Sequence, residues 1–475
     1  MLWTICQREL LDHLKSVRFA LTLALTVLLL AVNAALFAGG PFQQRLNDYI
    51  EQRQSAIDNL QSRAEDLGNL YVRGLGVLHK QPSPLVFCAS GRDEYLPQTV
   101  YATSNSSYSS GWGLTLRNPW HLRYSTPGTP PAAAVVSDFV EIDWVFIIGF
   151  ALSLLALLLT FDAVCGERQD GTLILLLSNP VSRTAVLGGK LLAALAVLGL
   201  ALALGLGINL LIASLFGPLS LDAATGLKLA AMGLAALLYL AFFAALGLLV
   251  STLFDRPAAS LVTLLLIWTL LLVILPNTTA GIVGSLTPVS PPERQDIFSE
   301  LRDKYGIADL KHSDEDGDFD RDYLKTFADL VAEWYDRSHQ QAEETLRAQL
   351  AQVETGRNLH RLTPYGAFQF ALESLAGTGL SRHYRFIEDA RRYAAEFRDL
   401  ARQRDAGDPD SFHLIGIAEG MSRKAIPPEA IPIFKEDLSA RATVAATATE
   451  FLLLGLFALV ALLAAHLAFL RGEVR

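Results

Sequence analysis

The sequence predicts a polytopic α-helical membrane protein with six transmembrane helices, both termini in the cytoplasm and two extracytoplasmic domains. Three observations carry that prediction. Six apolar blocks each match the thickness of a hydrocarbon core. Basic residues in the short loops fall on one side. Two long polar segments remain for the other side. Of the 475 residues, 18% are charged, below the roughly one quarter of a soluble domain.

The first block, 19–39, stops at Gly39-Gly40-Pro41. Glu9 and Asp12 precede it, and its apolar run exceeds the ~7–15 residues of a signal-peptide core, so it reads as a retained helix. The second block is 144–162 and the third 191–216. The fourth, 228–251, follows the short Gly217-Pro218 turn. The fifth is 258–276, ending at Pro276, and the sixth 446–470. At a rise of about 1.5 Å per residue, each crosses a ~30 Å core.

Orientation follows from Arg8, Lys15 and Arg18 before the first span, Arg168, Arg183 and Lys190 between the second and third, Arg256 between the fourth and fifth, and Arg471 and Arg475 after the sixth. All lie on one side if both ends are cytoplasmic. The opposite short loop contains Asp222, with Lys228 able to snorkel outward. Residues 1–18 and 163–190 are then cytoplasmic, and 40–143 and 277–443 lie outside. The net charge of −9 belongs almost wholly to these two outer segments, which argues against a nucleic-acid partner.

The first outer segment reads as α+β. A helix from about Phe42 to Leu67 continues the first span, with Leu46, Ile50, Ile57, Leu60 and Ala64 on one face. Short β-type runs follow at Val72–Val77, Leu85–Phe87, Val100-Tyr101 and Leu114–Leu116, with a turn-rich stretch from Thr103 to Gly113. The second segment reads as mainly helical. Amphipathic patterns run from Leu324 to Val353 and from His383 to Arg404. Between them a helix opens at Leu362-Thr363-Pro364 and closes at Gly377-Thr378-Gly379. Ala425 to Pro432 reads as extended.

Several chemistries are excluded by motif. No GxxxxGK[ST] loop is present: Lys190 follows Gly188-Gly189, but no Ser or Thr follows it. HExxH and GxSxG are absent. Cys6, Cys88 and Cys165 form neither a CxxC pair nor an even framework, so no zinc site or disulfide is expected. The acidic run Asp314, Glu315, Asp316, Asp318, Asp320 and Asp322 around Gly317 fails the EF-hand register and reads as a solvated loop. Of the polar residues in the spans, Asn33, Asn209, Glu450 and His466, the two ionisable ones lie near span ends, where hydration or snorkelling suffices.

The loop after the second span reads Cys165-Gly166-Glu167-Arg168-Gln169-Asp170-Gly171-Thr172, then Leu173 to Leu177, then Ser178-Asn179-Pro180-Val181-Ser182-Arg183 and Gly188-Gly189-Lys190. Asp170 or Thr172 can cap a short helix, which Asn179-Pro180 ends. That helix is too apolar for open cytoplasm. It either lies on lipid or docks a cytoplasmic partner.

This pattern of a glutamate, a short charged spacer, G-T-L, leucines, S-x-P-V-S-R and then G-K resembles the signature of ABC-2 type transporter permeases. The N-terminal stretch with Leu2, Ile5, Leu10, Leu11 and Leu14 is similar to the interface helix that precedes the first span in that family. The segment from Leu362 to Gly379, with His383 and Phe386, resembles the outer region of the subgroup related to multicopper-enzyme maturation and gliding-type permeases. The second large insert departs from the commonest layout, which has a short re-entrant hairpin there.

The resemblance implies a permease subunit of an exporter in the bacterial inner membrane, paired with a separate ATPase dimer that holds ATP and magnesium. This chain itself is expected to carry no catalytic, cofactor or metal residue. A second permease copy or a paralogue would complete the complex, and an outer protein or lipid could be a further partner. Glu167, Arg168, Asp170, Gly171, Thr172, Pro180, Arg183 and Lys190 would form the ATPase joint, with Arg8, Glu9 and Asp12 lining the adjoining contact. Two other readings stay open: a mechanotransmitting subunit that moves no substrate, and a membrane scaffold or receptor without an ATPase.

Overall fold

The computed structural model describes residues 2–91, 99–102, 108–109, 115–116, 123–124, 142–178, 181–276, 278, 297–307, 321–415, 417, 420–438 and 440–471. Among them, six helices are long and apolar enough to cross a membrane. The interface helix α1 (Leu2–Leu14) precedes the first of these, α2 (Val17–Ala38). Ser16 caps α2 by accepting from the Phe19 amide at 3.2 Å. Helix α3 (Pro41–Ser62) does not simply continue it, as the amphipathic pattern suggested. Gly40 adopts a φ of 118° and Pro41 opens the new helix, so the chain turns where only glycine is comfortable.

After α4 (Leu67–Arg73), strands β1 (Gly76–His79), β2 (Thr99–Ala102) and β5 (Arg123–Tyr124) form an antiparallel sheet in the order β1-β2-β5, with Val77 opposite Tyr101. Strands β3 (Tyr108–Ser109) and β4 (Thr115–Leu116) form a separate pair. Val72 lies in α4, so only the end of the expected run Val72–Val77 is strand, with Val77 in β1, and Leu85–Phe87 lies in a turn. Leu85–Phe87 is too short, after Pro82 and Pro84, to override its local turn geometry.

The second span, α5, runs from Trp144 to Thr160 through a π-helical stretch, Ile147–Leu152. Helices α6 (Cys165–Gln169) and α7 (Thr172–Leu177) follow, then α8 (Arg183–Phe216), α9 (Ala223–Leu253) and α10 (Pro257–Ile274). The spans approach closely through glycine, since van der Waals packing must supply what hydrophobicity cannot within lipid. A Cβ on Gly205 of α8 would lie 2.6 Å from Leu30 of α2, and one on Gly247 of α9 would lie 1.9 Å from Thr160 Oγ1 of α5. Leu21, Leu25, Leu28 and Leu36 form an exposed apolar stripe on α2, as a lipid-bathed surface requires.

The second insert holds α11 (Ile297–Lys304), α12 (Arg321–His360), α13 (Pro364–Ala376) and α14 (Leu380–Ala406), and α15 (Ala440–Ala445) leads into the last span, α16 (Ala448–Arg471). The two inserts are not two independent domains. Leu60, Leu67, Leu70, Tyr71, Leu75 and Val100 of the first share one core with Phe386, Tyr393, Phe397, Met421 and Ile431 of the second. Gln81 bridges them again: its carbonyl accepts from Arg382 and its amide donates to Glu436, while Arg382 and Glu436 pair at 2.7 Å.

This joint body is keyed into the bundle. Helix α13 is capped by Thr363 at one end and by left-handed Gly377 at the other, and nearly all of it is buried. Its Phe368 stacks on Tyr239 of α9 at 4.4 Å, and Tyr365 packs against Gly149 of α5. Glu450, expected to be hydrated at a span end, is instead fully buried at the start of α16. It accepts from Arg361 at 2.7 Å and faces Arg357 at 3.4 Å, both on α12. The long helix reaches back to neutralise it, because an unpaired carboxylate there would be costly. Most of the acidic run at 314–322 lies outside the described residues.

Candidate functional site

At the bundle end that carries both chain termini, α1, α6, α7, the first turns of α8 and the last turn of α16 converge. Gly188 and Gly189 make the approach possible. A Cβ on Gly189 would fall 2.8 Å from Ile5 Cγ2, and one on Gly188 would fall 3.3 Å from Leu2 Cδ1, so α1 rests directly on the α8 backbone. Ser182 caps α8 through the Ala185 amide at 3.2 Å. The helix therefore starts eight residues before the apolar block, and Lys190 is a helix residue rather than the end of a loop.

Lys190 is only 3% exposed. Its Nζ donates to Glu9 Oε1 of α1 at 2.7 Å and to Glu167 Oε1 of α6 at 2.8 Å. One buried cation thus ties three elements together by two charge-assisted hydrogen bonds. Burial beside this clamp holds the His13 imidazole below its ordinary 6.5, against an opposing pull from Glu9.

The short helices are fixed from several sides. Ser251 Oγ of α9 accepts from the Val164 and Cys165 amides at 3.0 and 3.1 Å, supplying an N-terminal cap for α6 from another span. Arg168 pairs with Asp255 at 2.8 Å. Gly171, with a φ of 72°, makes the left-handed turn between α6 and α7. It occupies the cap position expected for Asp170 or Thr172. Asp170 is exposed one residue earlier, and Thr172 Oγ1 instead donates to the Glu167 carbonyl at 3.3 Å.

Helix α7 splits its apolar residues between two environments. Leu173 is buried with Val164, Val186, Leu187 and Phe469. Ile174 and Leu175 face outward, 48% and 68% exposed. Arg183 turns inward: it donates to the Phe469 and Leu470 carbonyls at 2.6 and 3.0 Å and lies over the Phe469 ring. It therefore caps the last helix. Arg8 and Asp12 are exposed and stand apart from the clamp. Pro180 lies outside the described residues.

Ser251, Asp255 and Phe469 belong to this site but were not singled out from sequence. Ser251 and Phe469 sit on distant spans and Asp255 in the turn after α9, and only Gly188-Gly189 signals locally that something packs close.

The architecture is that of a multi-pass membrane protein with a braced, apolar-tipped helix pair at one end of the bundle. A model of the ABC-2 family transporter proteins matches residues 3–474, nearly the whole chain. The chain belongs to the ABC-2 transporter family and is a multi-pass protein of the inner membrane. It is 47% identical over 58 residues to "Probable ABC transporter permease protein NosY" of Pseudomonas aeruginosa and 45% identical over 58 residues to the protein of that name from Stutzerimonas stutzeri. Each match covers 12% of this chain and 21% of the relative, so the chain spans about a fifth of the length of these curated relatives.

Proposed function

We propose that the chain is the permease subunit of an ABC exporter, with α6 and α7 docked in a groove on a separate ATPase subunit. The observation that carries this reading is the Glu9–Lys190–Glu167 clamp, which locks α1 and α6 onto the third span while α7 presents Ile174 and Leu175 outward. An interfacial helix resting on lipid needs no such bracing. A helix that transmits force between an ATPase and the spans does. In this reading the terminal end faces the cytoplasm, in accord with the basic short loops, and the insert body stands outside. ATP and magnesium are held by an ATPase dimer, and two permease copies, or this chain with a paralogue, complete the complex. Closure of the ATPases would shift the spans between two states.

A specific observation also favours a second reading, in which ATP acts on an outer protein or lipid without transport. Helix α13 and the Glu450–Arg361 joint key the insert body directly into the spans, so a movement of α9 or α16 would be carried into it. Affinity purification of the tagged chain from its own membranes tests the common part of both readings. An ABC ATPase, identified by its own nucleotide-binding motifs, should co-purify with the wild type and be lost from Ile174→Asp/Leu175→Asp. Equal recovery with that variant would refute docking through α7. Substrate accumulation in inverted vesicles then separates export from mechanotransmission.

A further inference from the structure

Strand β1 forms one edge of the sheet in the insert body. Its residues Gly76 to His79 pair with β2 on one side. Among the described residues, nothing hydrogen-bonds to β1 from the other side. In an antiparallel pair every second residue turns its N–H and C=O away from the partner strand, so this edge offers a short row of open backbone groups. Helix α3 packs along β1 rather than β2, which places it beside that edge.

An open cleft of about 570 Å³ lies between them, walled by α3 and by Gly76, Val77 and His79 of β1. An apolar recess of about 40 Å³ adjoins it, sharing Leu60 and Val77 with the cleft and reaching Leu75 and Phe434. Ile433, in the lining of the recess, is left 46% exposed. The charge of the cleft is one-sided. Asp48 and Glu51, one turn apart on α3, line it, are exposed and make no ion pair among the described residues. Arg63, at the far end of α3, is already engaged.

We propose that this cleft binds an extended, basic segment of another protein on the insert side, which adds to the sheet as a strand beside β1. Three features select that partner. The open backbone edge is matched by another extended backbone. The recess takes an apolar side chain from the same segment, which would cover Ile433. The free carboxylates of Asp48 and Glu51 pair with a lysine or arginine, whereas an acidic segment would be repelled. That the partner is an outer protein rests on the orientation proposed above; binding in the cleft does not.

The test is fluorescence anisotropy of the purified full-length protein in detergent with a dye-labelled peptide of alternating lysine and valine. The peptide should bind. Methylating its backbone amide nitrogens keeps its charge and should weaken binding at least about tenfold. Asp48→Asn/Glu51→Gln should weaken it about fivefold, since exposed ion pairs are modest. Both positions are exposed, so the variant keeps its fold. The exposed Glu388→Gln on α14 should bind as wild type. No binding at millimolar peptide, equal binding of the methylated peptide, or equal binding by Asp48→Asn/Glu51→Gln each overturns the proposal. So does a photoreactive residue at position 55, in the cleft, that crosslinks to the chain itself or to a second copy and is not displaced by saturating peptide. None of these readouts needs an ATPase, so failure of the exporter reading leaves them unchanged.

Discussion

Replacing Lys190 by methionine keeps the length of the side chain and removes its charge, leaving Glu9 and Glu167 facing one another around an uncharged stem. Two hydrogen bonds, of 2.7 and 2.8 Å, are lost. Removing one partner from a fully buried ionic cluster costs about 3–5 kcal/mol. Glu9 and Glu167 keep 20% and 26% of their side-chain exposure, so water relieves part of the repulsion and places the cost at the lower end, about 3 kcal/mol. That free energy raises the undocked fraction of α1 by roughly 100-fold. Cys6, buried on α1, reports the event directly, and the fully buried Cys88 of the first insert serves as an internal reference. Maleimide should label Cys6 about 100-fold faster in Lys190→Met than in wild type, with Cys88 unchanged. The triple variant Glu9→Gln/Lys190→Met/Glu167→Gln should return most of the way, because a neutral cluster carries no stranded charge. Labelling of Cys6 in Lys190→Met within about twofold of wild type would refute the clamp as the element that holds α1.

Arg183→Ala removes the cap on the Phe469 and Leu470 carbonyls and should cost about 1–2 kcal/mol, read as faster hydrogen exchange in the last turn of α16. Gly247→Ala places a methyl group 1.9 Å from Thr160 Oγ1 and should destabilise by about 2 kcal/mol or more in thermal unfolding, whereas Gly207→Ala, which meets nothing within 4 Å, should be neutral. His383 is held at about 4 by burial, with Lys80 adding to the effect, against an ordinary 6.5. Its protonation therefore favours the unfolded chain. Stability from this group should be complete above pH 6.5 and fall as the pH drops towards 4, by at most about 3 kcal/mol. The melting temperature of wild type should fall relative to that of His383→Leu as the pH drops across that window; parallel curves would count against the burial argument.

The spans were legible because each apolar block is long enough to identify itself without knowledge of its neighbours. Much of the candidate site was legible as a set, since Glu9, Glu167 and Lys190 were all named from sequence. Their mutual pairing was not. Lys190 read as a positive charge at a membrane boundary, and the chain gives no local sign that α1 folds back over Gly189. The partners of Arg183 were hidden for the same reason: its acceptors are carbonyls of the last span, which sequence spacing cannot bring near. Glu450 read as hydrated because Arg357 and Arg361 sit in a different segment. The shared core of the inserts depends on pairing Leu67 and Tyr71 with Phe386 and Tyr393, and periodicity within either insert says only that each has an apolar face. Where periodicity was strong, as over α12 and α14, the helices were placed correctly. Where runs were two or three residues long, as at Leu85–Phe87, turn geometry won.

The proposed function requires that the outward tip of α7 contact an ABC ATPase. Site-specific photo-crosslinking measures it most directly, with a photoreactive residue at position 175 in cells. A crosslinked adduct containing an ABC ATPase should form from position 175 and none from the exposed, apolar position 452. Adducts from position 175 that contain only lipid would contradict it.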